Sequence, residues 1–292
     1  MRSALLHRLR AFLELIKFEH TIFALPFAYL GMLLAARGWP RWDQFLWITL
    51  AMAAARTLGM SANRLADRWI DARNPRTSSR PLLTGAITPG TVWGGMAISA
   101  LTLAAAAAAL GPLPFRLLPG AYLFLLAYPF TKRFTWLSHW ILGATDALAP
   151  LGAWAAIRGT LTVPGDTPAW LLFLGVTFWI AGFDLIYACQ DIEVDRRDGL
   201  YSIPAQFGPK AALRLSAVSH ALTTVLLALV GLVAGLNFVF AIGVLAAGGL
   251  LAYEHALVHP DDFSRLDTAF FNINSVISLT LFAATLLSVL MV

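Results

Sequence analysis

Charge is scarce in this chain. Asp, Glu, Lys and Arg make up 13% of its 292 residues, about half of the ~25% usual in soluble globular domains, which excludes an ordinary water-soluble fold. Cysteine is nearly absent as well, and the lone Cys189 leaves no partner for an internal disulfide. Low-complexity tracts and long linkers are missing, and the only extended polar segments run over about 63–90 and 190–210. What fills the chain is apolar: 59% of residues are hydrophobic. They fall into nine runs suited to crossing a bilayer, at roughly 20–37, 44–62, 91–110, 115–130, 139–157, 168–188, 211–234, 236–257 and 269–291.

The cations test that topology. With a cytoplasmic N-terminus, the inner side receives Arg2, Arg8, Arg10, Lys17, Arg64, Arg68, Arg73, Arg76, Arg80, Lys132, Arg133, Arg196, Arg197, Lys210, Arg214 and Arg265. The outer side receives only Arg37, Arg41, Arg116 and Arg158, and Arg56 falls within a span. This is the positive-inside pattern, and it puts the C-terminus outside. The net charge of +5 is then explained by an inner belt facing anionic lipid, so no nucleic-acid partner is expected. Over 4–17, Leu5, Leu6, Leu9, Phe12, Leu13 and Ile16 share a helical face opposite the charges. That predicts an interfacial helix over 1–18 and lacks the layout of a cleavable signal peptide.

Against this background two acid clusters stand out, Asn63-Arg64-Leu65-Ala66-Asp67-Arg68-Trp69-Ile70-Asp71 and Tyr187-Ala188-Cys189-Gln190-Asp191-Ile192-Glu193-Val194-Asp195. In each, two aspartates four apart share a helix face, roughly 6 Å from one another. Each cluster closes an apolar run and opens onto an arginine-rich loop on the inner side. Arg56, Asn63, Asp67 and Asp71 form one stripe; Asp184, Tyr187, Asp191 and Asp195 form another. Lipid penalises such stripes, so they are expected to face a shared cavity. The plainer arrangement is a solvated helix end, with aspartates paired to neighbouring arginines and Lys132 and Arg133 acting only as anchors. Two matched D-x-x-x-D pairs favour a site: hard carboxylate oxygens suit Mg2+, with a substrate phosphate as co-ligand. Three charges lie deeper, and Arg56 is expected to pair with Asp184 or Asp146 or to read an anionic group on a substrate. Glu254 and His255 read as a helix-end polar pair.

On these residues the chain resembles the UbiA-type intramembrane prenyltransferases over nearly its whole length. Arg76-Thr77-Ser78-Ser79-Arg80-Pro81-Leu82 followed by Gly85 is similar to the family's R-T-x-x-R-P-L-x-x-G. Asp191 through Asp195-Arg196, then Gly199, Ser202 and Pro204, looks like its second signature, and Tyr128-Pro129 with Lys132-Arg133 also matches. One departure is Arg64 after Asn63, where the commonest motif has Asn-Asp. It looks like the 4-hydroxybenzoate polyprenyltransferase-like branch, including members proposed for the futalosine route to menaquinone.

The resemblance implies an all-α integral membrane protein, one domain over 1–292, with about nine transmembrane helices around a central cavity open to the cytoplasm and sideways to lipid. It implies that Asp67, Asp71, Asp191 and Asp195 hold Mg2+ on a polyprenyl diphosphate, with Asn63, Arg64, Lys132 and Tyr187 contacting the diphosphate. The implied reaction is prenyl transfer to a 4-hydroxybenzoate-like acceptor in quinone biosynthesis, or the same chemistry on a menaquinone-pathway aromatic carboxylate. The implied location is the cell membrane, an inner membrane crossed several times. The rival from another class is an ion-coupled secondary transporter, for which Arg56, Asp146 and Asp184 would form a path.

Overall fold

Apolar helices of 16–26 residues dominate the chain. The computed structural model describes residues 10–17, 21–263, 266 and 272–291. Its long helices are α1 (Thr21–Ala36), α2 (Trp42–Ala66), α4 (Pro89–Leu110), α5 (Pro112–Thr131), α6 (Ser138–Arg158), α7 (Thr167–Tyr187), α10 (Pro209–Ala234), α11 (Phe238–Leu257) and α12 (Asn274–Leu290). Short helices α3 (Arg68–Asp71), α8 (Ile192–Arg197) and α9 (Ile203–Phe207) lie in the two polar loops. Among the described residues the only β-type pairing is an isolated bridge between His259 and Asp262.

Seven segments are long and apolar enough to cross a membrane, whereas α1, through Leu25–Ala36, and α12 contribute shorter apolar stretches. The expected nine spans therefore stand at seven by this measure. The nine long helices nevertheless fall on the nine apolar runs, with α2, α4, α5 and α10 starting two or three residues early and α11 two residues late. Their starts follow local chemistry. Thr88 Oγ1 accepts the Thr91 N–H ahead of Pro89, and Asn237 Oδ1 accepts the Val239 N–H, satisfying donors that a helix start leaves open.

α7 is the central helix, packed against α6 on one side and α10 on the other, while α1 packs on α6 and α12, and α2 on α4. The main core joins α1, α6, α7, α10, α11 and α12 around Trp179, whose ring lies 4.4 Å from Phe27 and 5.3 Å from Phe183 by centroid. Small residues set the spacing, as is common between helices in lipid. A Cβ on Gly143 of α6 would stand 2.2 Å from the Thr177 carbonyl oxygen of α7. Only glycine admits that approach, and it draws the start of α6 against the middle of α7. Exposed aromatic side chains gather at both ends of the bundle, Trp69, Phe134 and Trp136 at one and Trp39, Trp42 and Trp170 at the other, the levels where aromatic belts meet a membrane surface.

Part of the N-terminal segment expected as an interfacial helix is described. Residues 10–15 are helical, but Ala11, Leu15 and Ile16 are buried against Ile87 and Val92 while Leu13 is exposed. The described part of this segment is thus seated on the protein. Leu5, Leu6 and Leu9 lie outside the described residues.

Candidate active site

The polar loops meet at one end of the bundle and close over a cavity of about 630 Å3, within the range of small-molecule sites. All eight residues expected at the site line it: Asn63, Arg64, Asp67, Asp71, Lys132, Tyr187, Asp191 and Asp195. They arrive from α2–α3, the end of α5 and the α7–α8 turn.

Neither acid cluster is one continuous helix. α2 ends at Ala66, Asp67 sits at the break with φ −92° and ψ 3°, and α3 resumes at Arg68. The Asp67 and Asp71 N–H groups still donate to the Asn63 and Asp67 carbonyls, at 2.9 and 2.8 Å, so the four-residue phase survives. In the second cluster α7 stops at Tyr187, a 3-10 turn carries Ala188–Asp191, and α8 follows. Here the expected stripe is rebuilt by a turn that tightens the chain. Gly85 and Gly199, with φ of +77° and +68°, occupy the left-handed conformation that a Cβ disfavours; this is the physical need for glycine at those two motif positions.

Each metal-type acid except Asp195 is held by cations. Asp67 lies 3.3 Å from both Lys132 Nζ and Arg133, and Asn63 Nδ2 donates to it at 3.2 Å. Arg133 also donates to the Ala66 carbonyl at 2.6 Å, capping α2. Asp71 pairs with Arg80. Asp191 accepts from Asn74 Nδ2 at 2.8 Å and from the Arg76 fork, whose Nη1 reaches Tyr187 Oη at 2.8 Å. Burial works against the charge on Arg76, but the hydrogen bonds to Asp191 and the charges of Tyr187, Asp191 and Asp71 raise its pKa above the ordinary value. For Arg76 and Arg80 the R-T-x-x-R string is the available signal; Asn74, two residues before it, carries none. These bonds tie the first loop to the second. Arg197 donates to the Arg73 carbonyl, and the Tyr201 N–H donates to that of Lys132.

Arg64 lines the cavity and has a further role there, and two expected pairings are corrected. Arg64 is buried, its Nε donating to the Leu15 carbonyl at 3.2 Å and its Nη1 to Asn63 Oδ1 at 3.4 Å; it fixes the N-terminal segment at the cavity rim. Asp184 pairs with His139, at 2.7 Å, and not with Arg56. Arg56, Asp146 and Asp184 all line the inner cavity, and Arg56 Nε is buried without a hydrogen-bond partner. Glu254 and His255 are not a pair either: His255 meets His220 at 3.0 Å, and Asn274 donates to Glu254 at 3.4 Å.

Beyond the acids the wall becomes apolar and aromatic, through Phe27, Val176, Trp179, Ile180 and Phe183. Most of the charge lies at the mouth; the inner wall sets this aromatic face, suited to a hydrocarbon, beside Arg56, Asp146 and Asp184. Among the described residues no three Asp, Glu, His or Cys side chains converge on a single ion position. That donor set fits Mg2+ held by one or two carboxylates and completed by substrate phosphate and water, the usual way this ion is bound. It does not fit an all-protein metal cage.

Residues 24–276 match the UbiA prenyltransferase family. A 4-hydroxybenzoate octaprenyltransferase of Saccharophagus degradans is 34% identical over 243 residues, covering 82% of this chain and 79% of that protein. One of Chromohalobacter salexigens is 34% identical over 259 residues, covering 87% and 84%. Among solved structures, an apo UbiA homolog from Aeropyrum pernix K1 has 33% identity and a TM-score of 0.84, covering 92% of this chain and 98% of that one. A UbiA homolog from Archaeoglobus fulgidus bound to GPP and Mg2+ shares the fold, with a TM-score of 0.66 over 94% of this chain and 99% of that one at 21% identity.

Proposed function

The chain belongs to the UbiA prenyltransferase family, and from that membership we propose that it moves a polyprenyl group from its diphosphate to a 4-hydroxybenzoate-like acceptor, with Mg2+, in quinone biosynthesis. It is a multi-pass membrane prenyltransferase. Prenyl transfer also accounts for charges crowded at one mouth, which the transporter alternative does not. The observation that carries the finer reading is the meeting of both acid pairs, 124 residues apart in sequence, on one cavity with an aromatic interior.

In this reading Asp67, Asp71, Asp191 and Asp195 hold Mg2+ against the diphosphate, and Mg2+ supplies charge neutralisation for the leaving group. Lys132, Arg76 and Arg80 exchange their carboxylate partners for phosphate oxygens, so the cations are in place before ionisation begins. Asn63 and Tyr187 orient the head group. Phe27, Trp179 and Phe183 offer π faces to the allylic cation and exclude the water that would quench it to an alcohol. Arg56, with its buried unpartnered Nε, is suited to the acceptor's carboxylate. The names of the relatives support 4-hydroxybenzoate as acceptor; a menaquinone-pathway aromatic carboxylate would use the same groups. The domain is taken as 1–292, with the site and N-terminus cytoplasmic and the C-terminus outside.

The test is incubation of membranes holding the protein with Mg2+, a polyprenyl diphosphate and 4-hydroxybenzoate. A prenylated acid that disappears with EDTA supports the reading, and no prenylated product from any phenolic acid overturns it.

A further inference from the structure

His139 sits at the first turn of α6, buried, and touches two elements. Its Nε2 accepts the Ile203 N–H at 3.2 Å. A backbone N–H only donates, so Nε2 is the bare nitrogen and the ring proton lies on Nδ1. Nδ1–H therefore donates to Asp184 Oδ2, at 2.7 Å. Ile203 opens α9, directly after Ser202, whose Oγ accepts the Ala205 N–H. The imidazole is thus locked in one tautomer and one orientation by the second loop, and it presents that orientation to Asp184. The Gly143–Thr177 approach, one turn further along α6, holds the two helices close enough for this bond.

Asp184 differs from the acids at the mouth. Asp67, Asp71 and Asp191 each carry cationic donors, which must be displaced before a proton is accepted. Asp184 takes one neutral donor on Oδ2; its Oδ1 has no hydrogen bond among the described residues, and the side chain borders the cavity next to Phe183 and Trp179. The other charged or titratable groups on this inner wall are Asp146 of α6, Arg56 of α2 and Tyr128 of α5.

We propose that Asp184, positioned by His139, takes the hydroxyl proton of a phenolic acceptor. This rests on the functional reading above. The prenyl C1–O bond breaks first, its electron pair leaving with diphosphate, and a ring carbon of the acceptor then bonds to the allylic C1. The hydroxyl proton passes to Asp184 Oδ1 and the ring becomes a dienone. The ring C–H proton then leaves to the released diphosphate while Asp184 returns its proton to the oxygen, restoring the aromatic ring and the carboxylate. Asp184 is the catalytic residue and His139 the positioning residue, since only the first meets the acceptor.

The test uses the full chain in nanodiscs with Mg2+, a prenyl diphosphate and either 4-hydroxybenzoate or 3-fluoro-4-hydroxybenzoate at a pH that ionises its hydroxyl. Asp184→Asn is expected to lose about 100-fold or more in kcat on the first acceptor, the scale of general-base catalysis, with prenyl diphosphate Kd within about threefold of wild type. On the ionised acceptor, the deficit against wild type shrinks at least tenfold. Asp184→Glu keeps a carboxylate and turns over at least tenfold faster than Asp184→Asn. His139→Asn, whose amide N–H replaces Nδ1–H, recovers kcat relative to His139→Ala. An Asp184→Asn enzyme within threefold of wild type, or equally impaired on both acceptors, overturns the proposal alone. A wild type that prenylates neither acceptor overturns the functional reading, and the proposal falls with it.

Discussion

Arg76→Ala removes a side chain that, with Asn74, bridges both motif loops while facing the cavity. Its guanidinium makes two N–H bonds to Asp191, a third to Tyr187, and a cation–π contact at 5.1 Å from the Tyr187 ring. Charge-assisted bonds contribute about 1.5–3 kcal/mol each when desolvated. With 31% of the Arg76 side chain open to solvent, screening reduces the net for folding to about 1–2 kcal/mol. Catalysis should suffer more. Losing one preorganised donor to a developing anion costs about 2.7–4 kcal/mol, or roughly 100- to 1,000-fold in kcat. Arg76→Lys keeps a point charge but loses the fork, so it should recover about tenfold of that deficit. Transfer of a labelled prenyl group in nanodiscs, at saturating concentrations of both substrates, reads the rate; a denaturation midpoint in detergent reads the fold. Arg76→Ala within threefold of wild-type kcat, in a folded protein, would refute the role given to this residue.

Other expectations follow from the same geometry. Trp179→Phe should cost less than about 1.5 kcal/mol, because the indole N–H has no partner to lose. Trp179→Ala should cost about 3–5 kcal/mol and raise the ratio of prenyl alcohol to prenylated acid, as measured by chromatography. Gly143→Ala should lower the detergent denaturation midpoint by forcing α6 and α7 apart, at about 1–3 kcal/mol; an unchanged midpoint would show that the helices adjust freely. Arg56→Ala should raise KM for the aromatic acid while leaving that for the prenyl diphosphate within about threefold, and equal rises in both would remove Arg56 from the acceptor's end.

The apolar runs gave the helices because a chain in lipid must satisfy its backbone internally, and hydropathy alone reports where that happens. The acid pairs were legible for the same reason: in an apolar chain, charges kept at helix ends are conspicuous. The breaks at Asp67 and at Ala188–Asp191 were not legible, since helical spacing of side chains persists through a tight turn. Pairings were least legible of all. Asp184 meets His139 across two helices, Arg64 turns to the Leu15 carbonyl, and His220 meets His255. These contacts depend on helix rotation and on close approaches such as that at Gly143, which a single sequence does not encode locally.

The central claim is that both aspartate pairs act together, with Mg2+, on a prenyl diphosphate. Isothermal titration of a prenyl diphosphate into the nanodisc protein, with and without Mg2+, run alongside turnover with 4-hydroxybenzoate, tests it most directly. Wild type is predicted to bind and to form prenylated acid only with Mg2+. Asp67→Asn and Asp191→Asn, each folded, are predicted to lose Mg2+-dependent binding and at least 1,000-fold in turnover. Metal-independent turnover, or either variant retaining wild-type turnover, would contradict it.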